Sequence, residues 1–313
     1  FLTILLSEFH DNYSDTGGVV LRRDIAEEKA FAGQINKNSF FDQSTPYGYG
    51  GWIFDGEVSE ENINSLNRAY EHYCRSEGII SEFVRFHPLM GSDTVCSKIY
   101  EIVVHGPIVC MDISDPGIIW RNMSKSKRNS IRKAIQSNVT IHYGLNAGLI
   151  QQFQELYNHT MEKNQAKQYY FFGKEFYNSI LTDLRENALV FYAMKDDLVI
   201  ASDIMIMAGH KMNSHLGGSD TKYNEYQPQT LLAYTEALWG SENGYKTLLL
   251  GGGLGSKEDS IYQFKKRFNR NSDHVFKTGR KIFNVQIYRE LCNIRNVGRD
   301  FSIDSSFFPR YRA

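Results

Sequence analysis

Cysteine is scarce in this chain, and none of it is placed for metal or disulfide chemistry. The 313 residues hold Cys74, Cys96, Cys110 and Cys292. None forms a C-x-x-C pair, and none has a histidine at metal-ligand spacing. The four read as free thiols in a reducing compartment, with buried small hydrophobes as their ordinary role, so no metal is expected. Long apolar runs are missing too. Ile4 to Leu6, the apolar run at the start, is too short for a signal peptide or a membrane span. The expectation is no integral membrane segment and a cytoplasmic protein. A surplus of either charge is also absent: 35 Lys and Arg face 36 Asp and Glu, for a net charge of −1. That excludes global steering of nucleic acid, so contact with RNA or pyrophosphate has to use a local patch. There is no low-complexity segment, no P-loop and no Ser-His-Asp order.

What is present is an ordinary globular composition with a heavy aromatic load. Hydrophobic residues make up 42% and charged residues 23%, enough to bury a core in two domains or one large one. The chain has 20 Phe and 19 Tyr; most belong to the core, and surplus Tyr is suited to lining a binding groove. The most informative stretch is Leu248-Leu249-Leu250-Gly251-Gly252-Gly253-Leu254-Gly255, followed by Phe264-Lys265-Lys266-Arg267-Phe268. A buried strand ends in glycines, where backbone without side chains lets a ligand approach. A following helix brings a lysine back beside the strand end.

Periodicity gives the order of elements. Val19-Val20-Leu21 reads as a short strand and Pro46 to Trp52 as a glycine-rich aromatic loop. Ile63, Leu66, Tyr70 and Tyr73 share one face of a helix. Strands are expected at Glu82 to Phe86, over Tyr100 to Met111 with an interruption at Gly106-Pro107, and at Val139 to Tyr143. Ile118 to Ser137 reads as one basic helix. Helical stripes follow at Ile150, Phe153, Tyr157, Met161 and at Phe176, Ile180, Leu184. Three strands then come in succession, Ala188–Met194, Leu198–Met207 and Met212–Leu216, with a hairpin turn at Lys195-Asp196-Asp197. After a polar loop from Gly217 to Gln227 come a helix with Leu231, Tyr234 and Leu238 on one face, the strand Lys246–Leu250, the helix Asp259–Phe268, strands at His274–Thr278 and Lys281–Phe283, and a helix over Tyr288 to Arg295. A meander of antiparallel strands followed by a β-α-β unit is α+β organisation.

The second half, β-α-α-β-β-β-α-β-α-β, matches the strand order of the GNAT acyltransferase fold. The motifs Tyr47-Gly48-Tyr49-Gly50-Gly51, Glu82 to Leu89, Lys127 to Ala134, Leu216-Gly217-Gly218-Ser219, Pro228 with Leu231-Leu232, Leu250-Gly251-Gly252-Gly253 and Phe264 to Phe268 come in one order. Together they resemble the FemAB-like family, the peptidoglycan-bridge aminoacyltransferases and their relatives. The likeness runs from about Pro46 to Phe283. It implies two tandem GNAT-like domains, each a mixed, mainly antiparallel sheet flanked by helices. Residues 1–143 would carry the acceptor-side groove and 144–313 the catalytic centre, with the last helix packing back on the first domain. It implies transfer of an aminoacyl or acyl group to an amine of a lipid-linked or soluble envelope precursor, a peptidoglycan peptide or an amino sugar. No cofactor is tightly bound in this reading; the donor is aminoacyl-tRNA or acyl-CoA. Two family features are missing. There is no charged heptad arm, which bears on tRNA, and no Arg/Gln-x-x-Gly-x-Gly/Ala signature, which bears on CoA.

Acyl transfer to an amine needs a neutral amine and a polarised carbonyl held at near-attack distance. In the family the lysine of the Phe-Lys pair lies at the reacting carbonyl, and Lys265 matches it, with Phe264 shaping the pocket. The alternative pairs Lys265 with Glu258 or Asp259. Arg85 and His87 close a strand where the first domain would bind substrate, and Arg suits carboxylate or phosphate; a surface Arg and a turn His are the alternative. Tyr47 and Tyr49 read as stacking residues or as part of a packed loop. Gly217, Gly218, Ser219, Gly251 and Gly252 are backbone-contact positions, with Ser219 and Asp220 offering N–H groups to an anion. His215 is a general base or a structural histidine. Arg128 and Arg132 are the phosphate-binding candidates within a basic helix that otherwise reads as a solvated face. Two other readings stay open: a non-catalytic GNAT-like module that binds a nucleotide-sugar, and an RNA-binding protein using the basic helix.

Overall fold

The computed structural model describes residues 2–10, 14–56, 58–296 and 307–313. The chain opens with β1 (Leu2–His10), β2 (Ser14–Asp24), β3 (Phe41–Ser44), β4 (Ile53–Gly56), α1 (Glu60–Ser76), β5 (Ile79–Arg85), α2 (Ser92–Val95) and β6 (Glu101–Pro107). It continues with β7 (Val109–Asp112), α3 (Pro116–Asn122), α4 (Lys125–Gln136), β8 (Thr140–Gly144), α5 (Ala147–Lys163), α6 (Lys174–Thr182), β9 (Ala188–Lys195), β10 (Leu198–Ala208) and β11 (Lys211–Ser219). Last come α7 (Pro228–Glu242), β12 (Thr247–Gly251), α8 (Ser260–Lys266), β13 (Val275–Ile282) and α9 (Val285–Asn296).

These elements make two compact units, Phe1–His105 with Val275–Ala313, and Gly106–His274. The expected boundary between residues 143 and 144 falls inside the second unit. Strand pairing is the reason. β7 pairs antiparallel with β12, through Asp112 opposite Thr247, and so belongs to the second sheet. β13 pairs antiparallel with β5, from Thr278 opposite Arg85 to Ile282 opposite Ser81, and so belongs to the first.

The first unit has a seven-stranded sheet in the order β1-β2-β3-β5-β13-β6, with β4 beside β2. β3 and β5 run parallel, while β1/β2, β2/β3 and β13/β5 are antiparallel. α1 is capped by the Ser59 hydroxyl, which accepts from the Asn62 N–H. It turns Ile63, Leu66, Tyr70 and Cys74 onto the sheet. Beneath it Glu82 accepts from the hydroxyls of Tyr70 at 3.0 Å and Tyr100 at 2.9 Å. Burial pushes the Glu82 carboxyl up to about 7, against the pull of these two hydrogen bonds. β13 is one strand where two were expected. It continues through Gly279, whose added Cβ would meet the Phe86 ring at 2.8 Å. The C-terminal Tyr311 is fully buried among Ile25, Phe31, Ile80, Tyr288 and Leu291. The adjacent Arg312 donates from Nε to the buried Asp42 at 2.5 Å.

The second unit has a six-stranded sheet in the order β7-β12-β11-β10-β9-β8, antiparallel except where β12 meets β11. α5 and α6 bury Ile150, Phe153, Tyr157, Tyr177 and Ile180 with Val190, Ile204 and Leu216. α4 and α7 bury Ile131, Ala134, Leu231 and Ala237 with Phe191, Ala201 and Met205. Alternate strand residues thus go to two cores, as the period of two requires. The expected single helix over Ile118 to Ser137 is two. α3 starts at Asp115-Pro116, and after the extended Met123 the Ser124 hydroxyl caps α4 by accepting from the Lys127 N–H. A serine three residues before a backbone donor offers the chain a new N-terminus, and that local choice outweighs continuous helical periodicity. No described helix is long and apolar enough to cross a membrane.

Candidate active site

β11 and β12 are paired only over Lys211–Asn213 and Thr247–Leu249. β11 runs on to Ser219 and β12 to Gly251, so the two parallel strands part. A cavity of about 110 Å3 lies at the split. Gly217, Gly218 and Ser214 of β11 line it, with Ser202 and Asp203 of β10, Gln229, Leu232 and Ala233 of α7, Leu250 of β12, and Phe264, Lys265 and Phe268 at and beyond α8.

α8 is set by Asp259, whose carboxylate accepts from the Tyr262 and Leu254 N–H groups, both at 2.9 Å. With that carboxylate committed to the backbone, the Lys265 ammonium turns to the strand end and donates to the Gly252 carbonyl at 2.9 Å. Gly251, at φ +79, is the turn that lets this happen; its added Cβ would stand 3.5 Å from Lys265 Nζ. Burial lowers the Lys265 pKa, and the charges of Asp203 and Asp259 push it back up. The side chain thus reaches the glycine backbone. Phe264 packs edge-on to Phe268 at 5.4 Å. Behind both rings lies Lys127, its Nζ 3.1 Å from the Phe264 centroid and 4.2 Å from that of Phe268. Burial lowers the Lys127 pKa to about 7, and the charge of Arg267 adds to this.

Gly217 and Gly218 line the cavity for different reasons. At Gly217 a Cβ would sit 3.2 Å from Asp203 Oδ1; at Gly218 it would sit 2.8 Å from the Tyr157 backbone nitrogen, so α5 can lie against the strand only over glycine. The expected polar loop from Gly217 to Gln227 is strand as far as Ser219, then a 3-10 turn over Thr221–Tyr226. Its N–H groups are not offered to an anion. Ser219 donates to Thr160 Oγ1 at 3.0 Å and Asp220 to the Ile200 carbonyl at 3.0 Å, while the Ser219 hydroxyl accepts from Gln229.

His215 does not line this cavity. It is the extra residue of a β-bulge: Ile204 opposes Leu216 while Met205 opposes Ser214. Its ring lies on Phe176, and burial lowers its pKa to about 4. Arg128 and Arg132 come together over Trp120, outside the cavity lining. Arg128 donates to the Trp120 and Met123 carbonyls, closing the end of α3, and Arg132 to Asn129. A guanidinium holding two carbonyls is a helix stop first, which is why a phosphate role is hard to read from charge spacing.

The remaining candidates lie in the first unit. Tyr49 meets His87 edge-on at 5.4 Å and Phe276 at 5.9 Å, and burial raises its pKa. Tyr47 is 38% exposed beside it in sequence. Arg85 lines a different cavity of about 300 Å3, with Arg23, Arg280, Arg312 and Phe83 among its walls. Sequence reading missed Asp203 and Ser214. Nothing in the alternation of β10 and β11 marks them, because the bulge that gathers them has no composition signal. Among the described residues no group of His, Cys, Asp and Glu is placed to hold a metal ion.

Residues 121–266 match the model of the Acetyltransferase (GNAT) domain family. The matched residues are similar to a GNAT acetyltransferase domain, and they include Lys265 and the two strands that part. Among solved structures, FemX shares the fold at a TM-score of 0.68 and 13% identity, over 92% of this chain and 90% of that one. The C-terminal DUF2156 domain of a putative lysylphosphatidylglycerol synthetase from Agrobacterium fabrum follows at 0.57 and 11% identity, over 88% and 84%. A conserved protein of unknown function from Bacteroides thetaiotaomicron matches at 0.56 and 12%, over 86% and 85%. At such identities the likeness is one of fold, and it is the fold that the motif order resembles: two tandem GNAT-like domains, each a mixed sheet flanked by helices. No curated protein matches the chain.

Proposed function

We propose that this protein is an N-acyltransferase of the FemAB and GNAT type, which moves an aminoacyl or acyl group onto an amine of a cell-envelope precursor in the cytoplasm. The observation that carries the reading is the Lys265 ammonium, 2.9 Å from the Gly252 carbonyl, in a cavity where two parallel strands part inside a GNAT-like domain. An ammonium has three N–H donors. One is held by Gly252, which leaves two for the carbonyl oxygen of a donor group laid between the strands. Such a fixed donor stabilises the oxyanion of the tetrahedral intermediate more than the ground-state carbonyl, which is what lowers the barrier. Phe264 and Phe268 close the wall behind it.

The envelope-precursor acceptor, a peptidoglycan peptide or an amino sugar, is supported by the motif order and by the shared fold with FemX. Tyr47, Tyr49, Arg85 and His87 are assigned to it in the first unit. The donor is aminoacyl-tRNA or acyl-CoA. Thermal unfolding separates these, since a ligand that binds the folded state raises Tm by mass action, by about 2.7 kcal/mol of stability at a hundredfold excess over Kd. One of the two donors is expected to raise Tm, with uncharged tRNA or free CoA as the control. Stabilisation by neither contradicts the reading and leaves a binding module.

A further inference from the structure

On the cavity floor lies a carboxylate that no role above uses. Asp203 keeps some exposure through the cavity, while its Oδ1 is covered and has no hydrogen-bond partner. Its Oδ2 accepts from the Ser214 hydroxyl at 2.7 Å. Both residues line the same cavity as Lys265. The bulge at His215 puts them there. Residues 214 and 217 are three apart and would face opposite sides of a regular strand. With one residue looped out, Ser214 opposes Met205 and Gly217 opposes Asp203, so both share the Asp203 face. Gly217 adds no side chain over the carboxylate.

We propose that Ser214 and Asp203 form a proton relay that deprotonates the attacking amine. The inference rests on the reading of this cavity as an acyl-transfer site. The substrate ammonium gives one proton to Ser214 Oγ as the hydroxyl passes its own to Asp203 Oδ2. The neutral nitrogen attacks the donor carbonyl carbon, forming the C–N bond and an oxyanion facing Lys265. Collapse breaks the C–O bond of an aminoacyl ester or the C–S bond of a thioester. The leaving group takes the electron pair and the second proton from nitrogen; the third hydrogen stays on the amide. Asp203 then loses its proton to water. No oxidant, metal or co-reactant is required.

The electrostatics agree with this use. Burial pushes the Asp203 carboxyl up to about 7, opposed by the Ser214 hydrogen bond, the Lys265 charge and the Ile204 N–H. A base of that pKa is matched to neutral pH. The titratable groups around it are Lys265 from α8 and Glu236 from α7. Glu236 is fully buried, both its oxygens lack a hydrogen-bond partner, and burial with the nearby Asp203 charge raises its carboxyl well above the usual range. Burial beside the Asp203 charge favours the neutral form of Glu236.

The test is kcat/KM against pH for the wild type, Asp203→Asn, Ser214→Ala, the double variant and Glu236→Gln, with the donor-induced Tm shift measured on each. The wild-type rate is expected to rise with pH around a midpoint near 7, because the ionised Asp203 is the active form. Asp203→Asn loses that limb and about a hundredfold or more in rate at neutral pH, yet keeps the donor-induced shift. The double variant is expected to be no slower than Asp203→Asn alone, since members of one relay are not additive. Multiplying losses, an unchanged pH limb in Asp203→Asn, or loss of the limb in Glu236→Gln instead would overturn the relay. A wild type with no donor shift fails the acyltransferase reading itself, and the relay with it.

Discussion

Lys265→Ala is expected to lower kcat about 100- to 1,000-fold, the range seen when a single oxyanion donor is removed, with the fold intact. Lys265 is half-buried and makes one hydrogen bond, to the Gly252 carbonyl, at a strand end open to the cavity. Deleting it takes little from the core. Its loss removes a positive charge from the place where negative charge develops, and Lys266 does not replace it, because that ammonium donates to the Ser272 carbonyl. Saturating both substrates makes kcat the informative constant: an interaction made only in the transition state lowers kcat and leaves KM nearly alone. Turnover at the wild-type rate by a folded Lys265→Ala variant would remove Lys265 from the chemistry.

Asp42→Ala is expected to destabilise the first unit by about 3–5 kcal/mol, the cost of stripping one partner from a buried ion pair. Asp42 is fully buried and accepts from three side chains: Arg23 Nε at 2.7 Å, Arg312 Nε at 2.5 Å and the Tyr311 hydroxyl at 3.1 Å. Arg312 also donates to Glu28 at 3.1 Å. One carboxylate thus ties β3 to the C-terminal residues. Its removal leaves buried guanidinium charge without its nearest counter-charge. The exposed pair Lys98–Glu60, at 3.1 Å but with side chains 57% and 72% exposed, is the internal control. Lys98→Ala is expected to cost less than about 1 kcal/mol. Urea unfolding measures both. Equal costs for the two variants would mean that burial does not amplify the Asp42 network as argued.

Periodicity located most of the second unit, because its strands and helices each carry one buried face and short polar turns. The α5 stripe, the three-strand meander and the α7 face are all legible at their proper spacings. Legibility fails where a local hydrogen bond or a strand partner decides. Ser124 splits the basic helix, and in doing so sends Lys127 under Phe264 and commits Arg128 to two carbonyls; the charge pattern alone shows six basic residues on a helix. β13 follows α8 directly in sequence and reads as the last strand of the second sheet. It joins β5 in the first sheet, and only pairing distinguishes the two. At the site, Lys265 and the glycines were visible because strand, glycine run and lysine are contiguous. Asp203 and Ser214 depend on a one-residue bulge that resets strand parity, and parity is the assumption on which reading a strand rests.

The central claim is that the donor's acyl carbonyl lies where β11 and β12 part, against Lys265. A crystal structure with a non-hydrolysable analogue of whichever donor raises Tm tests it most directly. The account predicts the acyl carbonyl oxygen within hydrogen-bond distance of Lys265 Nζ, flanked by Gly217 and Gly251, with Ser214 facing the reacting carbon. An analogue bound elsewhere, with Lys265 still held by Gly252 alone and the cavity empty, would contradict it.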